Sequence, residues 1–491
     1  MEGSHIGAND DRKEIKTNTR EVALDILSEV FDKDAYVNKT VEAHLRRYPG
    51  MSRADRAFVT RLSTGTTERK ITLDYVIGLY ADVPVNKQKP LIRTVLRMTA
   101  YQLLYMDVSD YAACDEAVKL VRKRGKGALS GFVNAIARKM AKNKEEVLSS
   151  IENLEAGQGM DEVRALSVKY SVPEFLCELF LENFGNEDTK RAFAYFLDEN
   201  RTSIRCNLSR TTPEELKESL EKDGAFVEPG RCLKTCFKIE GYDTLPALSA
   251  FASGKCQVQD ESSALVGTIA GIRPGNTVLD ICAAPGGKTI HAADLLKYEE
   301  SSRARKEDTA ETEGSAGSDE ESAGVVISCD ISERKLSLIR ENILRCGFDN
   351  IDVMVNDAEE YREEFFECAD VVLADLPCSG LGIIAKKPDI KYRTDREGIE
   401  ALSALQKRML INASRYVKPG GTLIFSTCTL TKEEDEENAD FIVKETGLVP
   451  VSLDDCLPEC LRSADTARGV LKLIPGKYGT DGFFISKFRK L

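Results

Sequence analysis

From residue 257 onward, five short apolar runs (277–281, 325–329, 351–355, 371–374 and 422–426) alternate with segments of helical periodicity. Apolar runs without polar alternation are what strands look like when both faces are covered, and the helices between them supply the crossovers. The arrangement that satisfies this pattern is a parallel sheet flanked by helices, a Rossmann-like α/β domain over 256–491. Ligands of such sheets bind at the carboxyl ends of the strands. The residues that end each run are therefore the ones to read for chemistry.

The first run leads into Asp280-Ile281-Cys282-Ala283-Ala284-Pro285-Gly286-Gly287-Lys288-Thr289. A loop of small residues opening a helix lets a ligand approach backbone amides and the positive helix end. A P-loop would need glycine at 282, where a cysteine stands, and no GxGxxG fingerprint is present. The remaining reading is a loop for S-adenosylmethionine, whose contacts go to an amino-acid moiety rather than to a pyrophosphate. The second run leads to Asp330, an acceptor-only carboxylate suited to two ribose hydroxyls. Asp357, after the third run, is expected near the adenine.

The fourth and fifth runs end in DLPCSGLG (375–382) and FSTCTL (425–430), so Cys378 and Cys428 face one crevice. A thiolate there is a nucleophile. One reaction that needs it is methylation of carbon 5 of cytosine. Thiolate addition at carbon 6 breaks the aromaticity and makes carbon 5 enamine-like, while an acid such as Asp375 stabilises the N3/N4 edge. Position alone leaves open which of the two thiols attacks.

Ahead of this domain, apolar spacing at 19–31, 92–104 and 132–140 is helical. Residues 18–150 are expected to form an all-helical domain behind a disordered tail, 1–17. A polar linker candidate at 152–161 precedes a mixture of helices and strands, read as a small α+β module over 151–255. Residues 299–324, rich in Ser, Glu, Ala and Gly, are expected to be a disordered insertion in the catalytic domain.

The net charge of −13 speaks against a nucleic-acid partner, but its distribution does not. Residues 1–150 hold 26 Lys and Arg against 20 Asp and Glu, a local excess of +6 that leaves −19 for the remainder. Arg122-Lys123-Arg124-Gly125-Lys126 concentrates that excess, as an RNA-binding face would. The 14 cysteines lack zinc-ligand spacing, so no metal is expected. No signal-peptide pattern or membrane-length apolar run occurs, and a cytoplasmic monomer without membrane attachment is the expectation.

Together DICAAPGGKT (280–289), DLPCSGLG and FSTCTL resemble the NOL1/NOP2/Sun family of RNA 5-methylcytosine methyltransferases. Matching stretches at 257–263, 387–391, Gln406 and 481–484 extend the likeness over nearly all of 256–491. The resemblance implies that Cys428 is the nucleophile and that Cys378 assists product release. It further implies cofactor contacts from Cys282, Ala283, Ala284, Pro285, Gly286, Gly287, Lys288, Asp330, Asp357 and Asp375, with Lys288 and Asp375 also reaching the base. The front part resembles the NusB type of RNA-binding domain and the middle module an RRM. That combination is similar to the RsmB/Sun branch, which modifies 16S ribosomal RNA. A transfer-RNA cytosine methyltransferase and a non-catalytic RNA-binding or antitermination scaffold are the alternatives. Intact thiols and an intact glycine loop weigh against the scaffold. DNA methylation is disfavoured because DNA enzymes take their nucleophile from the PC motif and lack the TC cysteine. Where the family often shows ENE after the nucleophile, this chain has Glu434-Asp435-Glu436.

Overall fold

The computed structural model describes residues 18–157, 160–198, 201–309 and 324–491, with 302–309 described by backbone alone. The chain divides into two compact units, Met1–Glu174 with Lys387–Asp389, and Phe175–Lys386 with Ile390–Leu491.

The described part of the first unit is helical. The helices Thr19–Asp32, Pro90–Tyr105 and Ser130–Lys142 lie where the periodicity placed them. Every residue from Thr94 to Leu104 is buried, so Pro90–Tyr105 is the central helix of this unit. Its one buried cation, Arg97, is neutralised by a two-pronged pair with Asp74 at 2.6 Å on each arm. Asn18 caps the first helix by accepting the Arg20 and Glu21 amides. The unit continues past residue 150, where the expected boundary lay. The helix Glu162–Tyr170 belongs to it, tied by the Thr72 hydroxyl donating to the Val168 carbonyl at 2.6 Å.

In the second unit the helical stretch Glu174–Phe196 is broken at Gly185, where φ is 70°. A four-stranded antiparallel sheet follows, built from β1 (Thr202–Cys206), β2 (Phe226–Pro229), β3 (Cys236–Glu240) and β4 (Cys256–Val258). Its spatial order is β2-β3-β1-β4, the order of a split βαβ fold, with the Pro213–Lys222 helix after β1. That helix opens on a complete capping box from Thr212 and Glu215, with Pro213 at its first position.

The large sheet contains β5 (Thr277–Asp280), β6 (Val325–Asp330), β7 (Ile351–Val355), β8 (Ala369–Asp375) and β9 (Val417–Thr427), all parallel. β10 (Val449–Pro450), β11 (Val470–Leu473) and β12 (Phe483–Arg489) extend it antiparallel beyond β9. The spatial order is β10-β12-β9-β8-β5-β6-β7, with β11 also on β12. Apolar side chains cover both faces of the central strands, in two clusters that include Val278, Val371 and Ile424, and Leu279, Val372 and Phe425.

Residues 299–309, expected to open a disordered insertion, instead continue the helix Gly287–Thr309. Their Glu, Ala, Arg and Lys side chains are good helix formers even without an apolar face. Residues 310–323 and the expected tail 1–17 lie outside the described residues. Among the described residues no helix is long and apolar enough to cross a membrane.

Candidate active site

Strand order reverses at β5, with β6 and β7 on one side and β8 and β9 on the other. The crevice at such a switch point is where open α/β sheets bind ligands. The loop after β5 is drawn over β6 by its own amides. Ala283 donates to the Cys329 carbonyl at 2.9 Å and Ala284 to Asp330 Oδ2 at 2.9 Å. Gly286 holds φ at 102°, where a side chain would be strained and would also press on Ile339 at 3.3 Å. Gly287 then starts the long helix, with nothing nearer than 3.9 Å to the place a Cβ would occupy. The loop there presents backbone and small side chains, Ala283, Ala284 and two glycines.

Asp330 is 4% exposed. Its Oδ1 takes the Ile331 amide at 2.8 Å and Lys335 Nζ at 2.9 Å. Ile331, next in the chain, is 54% exposed and offers an apolar surface at this strand end. Beside it Asn356 donates its backbone N–H to the Asp330 carbonyl at 3.0 Å. The buried Asn356 side chain has no hydrogen-bond partner for either amide atom among the described residues. Asp357 is half-buried and accepts the Glu359 amide at 3.0 Å, a local turn contact that joins it to none of the other expected site residues.

On the other side of the crevice the two thiols meet. Cys378 Sγ and Cys428 Sγ are 3.3 Å apart. The hydrogen bond with Cys428 pushes the Cys378 thiol well up, and burial with Glu434 and Asp375 nearby adds to it. Cys282 is likewise pushed well above its ordinary value, by burial and by Asp280, Asp330 and Asp375 around it. Lys288 donates to Asp375 Oδ2 at 2.7 Å and to the Ser263 hydroxyl at 2.9 Å, and lies 5.1 Å over the Phe483 ring. The Ser426 hydroxyl donates to Asp375 Oδ1 at 2.8 Å. Both oxygens of Asp375 are thereby aimed, with the carboxylate still partly open at 30% exposure.

The loop bearing Cys378 is pinned to the turn bearing Cys428 by backbone contact. Gly382 donates to the Cys428 carbonyl at 3.0 Å and accepts the Gly482 amide at 2.9 Å. A Cβ at 382 would sit 2.1 Å from the Gly482 oxygen and 2.9 Å from the Cys428 oxygen, so only glycine fits.

The structure therefore brings Cys282, Lys288, Asp330, Asp375, Cys378 and Cys428 around one crevice. Ser263, Ser426 and Phe483 complete its walls, and sequence reading gave them no role. Asp280 was also passed over. It is fully buried at the end of β5, accepts the Thr289 hydroxyl at 2.7 Å, and is pushed up to about 7 by burial.

This geometry can be set beside known proteins. The family described as 16S rRNA methyltransferase RsmB/F matches residues 319–489, and the NusB family matches residues 17–142. The Bacillus subtilis protein named probable ribosomal RNA small subunit methyltransferase B is 32% identical over 480 residues, covering 97% of this chain and 99% of that one. The chain belongs to the ribosomal RNA small subunit methyltransferase B family. It is an enzyme, a methyltransferase. Members in Synechocystis sp. and Vibrio cholerae are 29% and 25% identical, each aligned with 96% of this chain and at least 98% of its own. Among solved structures, that of PH0851 covers 97% of this chain and 100% of its own at 24% identity, with a TM-score of 0.75. NSun6 from Pyrococcus horikoshii covers 65% of this chain and 98% of its own at 21% identity, with a TM-score of 0.52. These two likenesses speak to the fold.

Proposed function

We propose that this methyltransferase transfers a methyl group from S-adenosylmethionine to carbon 5 of a cytosine in 16S ribosomal RNA, through a covalent bond between Cys428 and carbon 6. The observation that carries the reading is the thiol pair, 3.3 Å apart at the ends of β8 and β9 beside a lysine-held carboxylate. The ribosomal substrate rests on the names of the relatives and on the match to the NusB family.

The cofactor's shape and polarity fit what the crevice offers. Loop 282–288 presents backbone and the positive end of a helix, suited to the amino-acid moiety. Asp330 keeps one lone pair, on Oδ2, for a ribose hydroxyl, and Ile331 and the unbonded Asn356 amide suit a flat, polar-edged base. Asp357 stands beside that end. When bound, the cofactor supplies an electrophilic methyl on a sulfonium.

Cys428 is the attacking sulfur on the likeness of its TC motif to the family's, and Cys378, its thiol pushed well up by the hydrogen bond with Cys428 and by burial, is the one that keeps its proton. The Cys428 sulfur adds to carbon 6, and the ring electrons so released make carbon 5 able to take the methyl. Asp375, oriented by Lys288 and Ser426, accepts a hydrogen bond from N4 of the base, and the Lys288 ammonium beside it offsets the negative charge that thiolate addition places on the ring. The carbon 5 proton then leaves to solvent, and its electron pair restores the double bond. The Cys428–carbon 6 bond breaks to return the thiolate. Cys378, still protonated, donates its S–H to that departing sulfur.

Cys428→Ala is expected to abolish methyl transfer to ribosomal RNA while cofactor affinity, read by titration calorimetry, stays unchanged. Retained turnover in that variant would overturn the assignment. Bisulfite sequencing of the product reads the methylated cytosine directly.

A further inference from the structure

Glu434 is completely buried, yet its carboxylate receives four hydrogen bonds. The Ser379 amide (2.8 Å) and the Gln406 side-chain amide (3.2 Å) reach Oε1, while the hydroxyls of Ser379 (2.5 Å) and Thr431 (2.9 Å) reach Oε2. Ser379 follows Cys378, and its hydroxyl meets that of Thr429, which follows Cys428, at 2.6 Å. Gln406 donates also to the carbonyl of Pro377, the residue before Cys378, at 2.9 Å. Asn438 in turn donates to Gln406 Oε1 at 2.6 Å. One carboxylate thus grips the Cys378 loop on both sides and ties it to the turn that carries Cys428.

Burial of a carboxylate is costly unless its lone pairs are satisfied. Here they are, and three of the four donors belong to Ser379 or to Gln406, which itself bonds Pro377, so the grip centres on the loop that carries Cys378. We infer that Glu434 is a positioning residue for Cys378, keeping that thiol within hydrogen-bond reach of Cys428. Its contribution falls on product release, when the Cys428–carbon 6 bond breaks, and not on methyl transfer. The inference rests on the role given above to Cys378.

Glutamine at 434 can keep this network. Its oxygen accepts from Ser379 and Gln406, and its NH2 donates to the Ser379 and Thr431 hydroxyls, which have lone pairs free. Alanine cannot. The full-length variants Glu434→Ala, Glu434→Gln, Ser379→Ala and Cys378→Ala are compared with ribosomal RNA and S-adenosylmethionine, following RNA–protein adduct and released methylated RNA over time. Glu434→Ala is expected to transfer its first methyl at near the wild-type rate and then stall as adduct, with release slowed about a hundredfold, the scale of a misplacement of about 1 Å. Adding it to Cys378→Ala slows release no further, since both remove one interaction. Glu434→Gln releases nearly as fast as wild type. Ser379→Ala, which keeps the carboxylate but removes a hydroxyl from the grip, stalls partially and serves where alanine at 434 does not fold. Wild-type release from Glu434→Ala, or equal slowing of the first methyl transfer, would overturn the inference while leaving the enzyme reading intact. Free release from Cys378→Ala would instead remove the Cys378 role, and with it the function assigned to Glu434.

Discussion

Asp280 ends β5 shut off from solvent, and burial lifts its carboxyl from 3.8 to about 7. Between those values the folded chain holds a proton that the unfolded chain has already lost. Stability therefore falls as pH rises through that window, the reverse of a carboxylate held low by a cation. Asp280→Asn carries no charge at any pH and removes this slope. The variant is expected to gain several degrees of melting temperature on the wild type between pH 5 and pH 8, measured by scanning calorimetry. Parallel melting curves across that range would show that Asp280 is ionised throughout. At the same scale lies the pair of thiols. Their positions at consecutive strand ends were legible as sequence, but their contact with each other was not. Their 3.3 Å contact and the Glu434 carboxyl that lies near Cys378 come about only on folding.

Among elements, the contact that sequence periodicity did not reveal joins the small sheet to the catalytic one. Arg205 on β1 and Asp294 on the Gly287–Thr309 helix are 1% and 0% exposed and pair at 3.0 Å. The guanidinium also donates to Gln259, Asn207 and the Cys206 carbonyl, while Asp294 accepts the amides of Leu208 and Ser209. Replacement of Arg205 by Met leaves a buried carboxylate without its cation. Such losses cost about 3–5 kcal/mol. Denaturant unfolding of Arg205→Met is expected to show a loss of that size, and Asp294→Asn in the Met background should recover part of it. A loss below about 1 kcal/mol, the value of an exposed pair, would mean that water reaches the site. The parallel strands were foreseeable because each is a short apolar run covered on both faces. β10 and β11 were not, since a two-residue strand and an alternating four-residue strand carry too little pattern to stand out.

For the whole molecule, net charge misleads and charge distribution informs. The basic stretch 122–126 is only half available. Lys123 pairs with Glu21 at 2.7 Å and Arg124 with Asp25 at 2.6 Å, whereas Arg122 and Lys126 pair with no acid among the described residues. If this stretch meets phosphates, Arg122 and Lys126 are the side chains that do so. Reversing both to Glu is expected to raise KM for RNA about tenfold or more at low salt. It should also flatten the log KM against log salt slope by about two, one per lost phosphate contact, with kcat unchanged. An unaltered slope would exclude this stretch from the RNA interface.

Local order along the chain was sufficient for the parallel sheet, the glycine loop, the strand-end carboxylates and the two cysteines. Each depends on the chemistry and spacing of residues close in sequence. What only the tertiary structure decided were the partners. Asp294 lies 89 residues from Arg205 and Glu434 lies 55 from Ser379, separations that no helical or strand periodicity encodes. A buried charge is tolerated only where distant donors converge on it, and that convergence exists once the chain has closed around them.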